Sequence, residues 1–155
     1  MKGIVTYLLA LLVAIISIWG TFKADALPAW IGDIELLFQC ILIGGVGGVI
    51  YCLRAVYLNA CVRKCWDKEW QPWYFIRPFV SLISGGISWL FLKAGLLVLD
   101  AAQPADSSSL GFLALAFIAG YNVDKFMRKL EQISEATWGI EKSRTSENSK
   151  NDGAE

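Results

Sequence analysis

The chain has 155 residues, 55% of them hydrophobic and 18% charged, a balance on the membrane side of soluble averages and enough length for one domain. Its 14 Lys and Arg equal its 14 Asp and Glu, so no global charge recommends nucleic acid as a partner. Histidine is absent, which removes the commonest general base and metal ligand, and no catalytic, cofactor or metal site is expected.

Between Lys2 and Lys23 lie 20 uncharged residues. At about 1.5 Å of helical rise per residue they can cross a hydrocarbon layer of ~30 Å. Two readings stand: a retained span over 3–22, or a cleaved signal peptide with Lys2 as its basic region and Ala24-Asp25-Ala26 as its cleavage site. Residues 24–35, with Pro28, Gly32 and Trp30, read as a short loop.

A second span is expected over 36–55, centred on Gly44-Gly45-Val46-Gly47-Gly48. In water each helical glycine costs about 1 kcal/mol relative to Ala. In lipid, where the backbone must bond internally, the same run reads as a face that another helix can approach closely, with Gly44 and Gly48 one turn apart.

From Arg54 to Arg77 the chain turns basic and aromatic. Trp66, Trp70 and Trp73 fall at i, i+4 and i+7, so they anchor at headgroup depth, either along a surface helix or as part of an ordinary loop. Cys61 and Cys65 flank Arg63 and Lys64. Without histidine or a second nearby cysteine pair they read as reduced, structurally idle thiols rather than a zinc site. Cys40 and Cys52 fall in the apolar run, and the four cysteines do not form a secreted disulfide framework.

The third span is expected over 77–99, with Lys93 its one internal charge and Ser84-Gly85-Gly86 a small-residue packing cluster. Lys93 precedes Asp100 by seven residues, roughly 10 Å along the helix. A lysine at mid-bilayer costs about 2.5–3.5 kcal/mol, less near the surface, where its stem snorkels. Lys93 therefore reads as a binding group for an anion or lipid headgroup, as part of an aqueous path, or as a snorkelling partner of Glu35 or Asp33. Spans two and three also echo each other at an offset of 39 residues, Gly47 on Gly86 and Arg54 on Lys93, the trace an inverted repeat would leave.

The fourth span is expected over 108–127, with Gly120 a further packing glycine and the helix running on to about 138. There Phe126, Leu130 and Ile133 form an apolar side against Lys125, Arg128, Lys129 and Glu131. Residues 1–140 thus form a membrane domain, and the aperiodic polar stretch 141–155 reads as a disordered tail. Lys and Arg crowd the connection between spans two and three and the C-terminal side, which places both termini in the cytoplasm. Arg54 and Asp124 then share the cytoplasmic end and are expected within salt-bridge reach.

Arg77-Pro78 followed by Gly85-Gly86 and Lys93-Ala94-Gly95, and then Phe117-Ile118-Ala119-Gly120-Tyr121 before Asp124, resembles a loosely defined group of small bacterial four-span inner-membrane proteins. The resemblance covers the second half of the chain and implies bacterial origin and this topology, without an activity. The expected protein is an all-α transmembrane four-helix bundle with a cytoplasmic amphipathic helical extension, set in a bacterial inner membrane. Its expected role is interaction with another membrane protein or an incoming macromolecule, as in small immunity and phage-exclusion proteins. The competing class is an oligomeric pore lined by Lys93, Ser84, Ser88 and Asn122. The expected partners are the lipid bilayer, further copies of the chain and a membrane protein.

Overall fold

The computed structural model describes residues 2–23, 34–64, 68–95 and 108–139, and within them every regular element is helical. Five α-helices follow in order: α1 Lys2–Lys23, α2 Glu35–Tyr57, α3 Gln71–Lys93, α4 Ser108–Tyr121 and α5 Val123–Trp138. A π-type turn, Leu58–Val62, prolongs α2, and a 3-10 turn, Lys68–Trp70, leads into α3. Residues 24–33 of the loop expected over 24–35, the tail expected at 141–155, Trp66 and Cys65 lie outside the described residues, and α2 begins at Glu35, the last residue of that loop.

The chain divides into two units, Met1–Val123 and Asp124–Glu155. In the first, α1 to α4 form a four-helix bundle in which α2 packs against each of the other three. The serine and threonine hydroxyls of α1 bond back to their own helix, as lipid demands. Along α1, Thr6 donates to the Lys2 carbonyl (3.1 Å), Ser17 to Val13 (2.8 Å) and Thr21 to Ile18 (2.6 Å). One side of α1 enters the core through Ile4, Leu8 and Ile15, beside Leu42, Val49 and Cys52 of α2 and Tyr74 of α3. The rest of α1 exposes large apolar side chains such as Val13 and Ile16, the surface a lipid-facing helix presents.

The third helix departs from the expected 77–99 at both ends. It starts at Gln71, six residues before Arg77-Pro78, because Pro72 falls in its first turn, where a missing N–H costs nothing. Pro78 is an interior residue instead of an opener. The helix stops at Lys93, where Ala94 and Gly95 donate to the Leu90 and Leu92 carbonyls and Gly95 takes a left-handed φ of +72°, a conformation glycine adopts without penalty. Lys93 is therefore an exposed residue of the last helical turn, where a cation favours the helix dipole.

The fourth expected span, 108–127, is not one continuous helix. The helix is interrupted at Asn122, so α4 has 14 residues and α5 is a separate element. Alone, α4 falls short of the ~20 residues a span needs. In the second unit, α5 segregates Phe126, Leu130 and Ile133 from its Lys, Arg and Glu residues and ends at Gly139, again left-handed with φ +66°.

Candidate functional site

The glycines of α2 are used on three sides at once. A Cβ at Gly44 would lie 2.7 Å from the Ser81 carbonyl oxygen and 2.8 Å from Gly85 Cα of α3. At Gly47 it would lie 2.6 Å from the Phe117 carbonyl oxygen and 2.8 Å from the Tyr121 nitrogen of α4. At Gly45 it would meet Leu82 of α3 and, at 3.2 Å, Ile15 of α1, and at Gly48 the Ser81 side chain. Gly85 and Gly120 complete the junction from the facing helices, each with its nearest contacts on the α2 backbone. Gly86 is different in kind: its neighbour is the Ile41 side chain, at 3.1 Å. The echo of Gly47 in Gly86 thus joins two glycines with unlike surroundings.

Ser81, Ser84 and Ser88 lie fully buried on the inner face of α3. Ser81 Oγ sits 3.0 Å from the Arg77 carbonyl and 2.9 Å from the Gly120 carbonyl of α4, so its one proton is shared between a bond within α3 and a contact between helices. Ser84 donates to Val80 (2.9 Å) and Ser88 to Gly85 (2.7 Å). These back-bonds satisfy hydroxyls that lipid would leave dry.

Above the glycine junction, at the end of the bundle that carries Arg54 and Arg77, polar and aromatic groups converge. Arg77 is 6% exposed, and its guanidinium lies over the rings of Tyr51 (4.5 Å) and Trp73 (5.0 Å). Such contacts contribute about 0.5–2 kcal/mol, most when desolvated. Tyr51 packs edge-on against Tyr121 (5.5 Å) and Trp73 against Tyr74 (5.1 Å). Arg54 Nη1 donates to Tyr121 Oη at 2.8 Å and Asn59 Nδ2 to Tyr74 Oη at 3.2 Å. The cluster therefore ties the last turn of α2, the turn after it, the start of α3 and the end of α4.

Of the residues singled out from sequence, Gly44, Gly45, Gly47, Gly48, Ser84, Gly85 and Gly120 are buried within the bundle. Arg54 and Trp73 belong to the cluster at its end, where Trp73 packs against Tyr51 and Tyr74. Trp70 is 59% exposed, and Lys93 Nζ sits 5.5 Å from the Trp89 ring. Asp124 is the first residue of the second unit. Arg77 was not singled out, yet it is the buried cation of the site. Its signal lies in the spacing: Tyr74, Arg77, Ser81, Ser84 and Ser88 recur at steps of three and four, a continuous polar stripe on one side of a helix.

Among the described residues three helices, α1, α2 and α3, are long and apolar enough to cross a membrane, or up to four if α4 and α5 make one broken span, and with the buried serine bonds and glycine contacts they define a helical membrane protein. The chain matches no protein-family model, no curated protein and no solved structure. Its own residues therefore carry the functional argument.

Proposed function

We propose that this is a small multi-pass inner-membrane protein of a bacterium that works by binding another membrane protein or an incoming macromolecule, as an immunity or exclusion factor would. Its binding groups lie at the Arg54–Arg77 end. The observation that carries this reading is the fate of the polar stripe on α3: Ser81, Ser84 and Ser88 are fully buried and donate to carbonyls of the bundle. Two of the four residues named for a pore lining are thus consumed by packing. Polar chemistry is concentrated where the bundle meets water, among Arg54, Arg63, Arg77 and the aromatic residues around them.

Orientation follows from the same cations. Arg54, Arg63, Lys64 and Arg77 cluster at one end, and the positive-inside preference puts that end, and both termini, in the cytoplasm. The close packing of α1 against α2 supports its retention as a span rather than removal as a signal peptide.

Mass in detergent and ion flux across reconstituted vesicles test the choice of class. The interaction reading expects a monomer or dimer and no flux. A ring of many copies that leaks ions, with Lys93→Leu altering the leak, would overturn it in favour of a pore.

A further inference from the structure

Between the end of α2, the turn that follows it and the start of α3 lies a cavity of about 360 Å³, walled by Tyr51, Asn59, Arg63, Trp70, Trp73 and Tyr74. Its volume falls in the range of about 300–1,000 Å³ typical of small-molecule sites. The partner-binding proposal above makes no use of it as a cavity.

Among the described lining residues the one charged side chain is Arg63. Arg63 brings a guanidinium, whose planar fork of N–H groups matches phosphate oxygens. The carboxamide of Asn59 brings two N–H donors, one of them engaged by Tyr74 Oη at 3.2 Å. A second positive charge stands directly behind two of the walls, since the Arg77 guanidinium covers the Tyr51 and Trp73 rings. No carboxylate is among the described lining residues. The first turn of α3, which supplies Trp73, begins at Trp70 without a side-chain cap, so the positive end of a 23-residue helix borders the same space. The indoles of Trp70 and Trp73 complete the site with apolar surface, and they stand at the end of the spans, where bilayer headgroups begin.

We propose that this cavity binds a phosphate-bearing anion, with the phosphate on Arg63 and Asn59 and the remainder of the molecule against Trp70 and Trp73. Basic pockets between spans take anionic lipid headgroups by this chemistry, and a soluble phosphomonoester offers the same group without the acyl chains.

The full-length protein in neutral detergent is titrated with short-chain phosphatidylglycerol, phosphatidylcholine or glycerol 3-phosphate, read by tryptophan emission and by the ligand retained in native mass spectrometry. If the source is lipid, phosphatidylglycerol binds in preference to phosphatidylcholine, and Arg63→Gln weakens it about tenfold. Lys64→Gln, which removes a neighbouring cation outside the wall, leaves binding unchanged. If the source is soluble, glycerol 3-phosphate binds with the same dependence on Arg63. The proposal fails if neither anion binds, if Arg63→Gln binds like the wild type, or if Lys64→Gln weakens binding equally, which would mark a diffuse surface field. Asn59→Leu repeats the comparison at a second wall residue should Arg63→Gln fail to fold.

Discussion

Replacing Gly44 by alanine puts a methyl group 2.7 Å from the Ser81 carbonyl oxygen and 2.8 Å from Gly85 Cα, far inside the about 3.5–4.0 Å of ordinary contact. Both neighbours are backbone, so no rotamer change relieves the clash and α2 and α3 must part. Overpacking costs about 1–3 kcal/mol, and a rigid backbone contact belongs in the upper half of that range. The better helix propensity of alanine returns about 1 kcal/mol, leaving a net loss of about 1–2 kcal/mol. Gly3→Ala and Gly20→Ala are the controls, because a Cβ there meets nothing within 4 Å, and they keep the propensity gain of up to about 1 kcal/mol. The two classes should separate by about 2–3 kcal/mol when unfolding in mixed micelles is followed by tryptophan fluorescence as denaturing detergent is raised. A Gly44→Ala protein as stable as Gly3→Ala would refute direct backbone contact between the helices.

Ser81→Ala removes the hydroxyl between α3 and α4 and should destabilise by about 0.6 kcal/mol and at most about 1.7, the range of hydrogen bonds inside membranes. Ser88→Ala, which breaks a bond within its own helix, should cost less in the same titration. Tyr121→Phe removes the acceptor of Arg54 and should cost about 1 kcal/mol. A double-mutant cycle of Arg54→Gln with Asp124→Asn then tests the expected pairing of those charges, which requires a coupling above about 0.5 kcal/mol. Cys61 is exposed whereas Cys40 and Cys52 are buried. In a Cys65→Ser background, the proposed topology predicts that an impermeant maleimide labels Cys61 only after the membrane is opened, and labelling of intact cells would reverse that topology.

The all-helical architecture and the first two spans were legible because uncharged runs of spanning length are their own signal. The value of Gly44-Gly45-Val46-Gly47-Gly48 as a close-approach surface was legible too, since lipid removes the usual objection to glycine in a helix. The limits of α3 were not. Arg77 marks the end of an uncharged window, and a window ends at a charge even when the helix buries that charge under two aromatic rings. Gly95 stops the helix before Asp100 although every residue between them is apolar. The break at Asn122 falls on one polar residue in a run that stays uncharged through Val123, too slight a signature to separate from an ordinary helical position. The site was half legible: the tryptophans and cations were visible as an interfacial segment, but their convergence on Tyr51 and Tyr121 depends on packing that only the glycine junction brings about.

A photo-crosslinking residue at position 70, incorporated into the full-length protein in living cells, tests the proposed working end most directly. Trp70 is 59% exposed and Ile83, on the apolar surface of α3, is 61% exposed, so Ile83 controls for accessibility alone. The account predicts a discrete protein adduct from position 70 that is absent from position 83. Lipid adducts alone at both positions would contradict it.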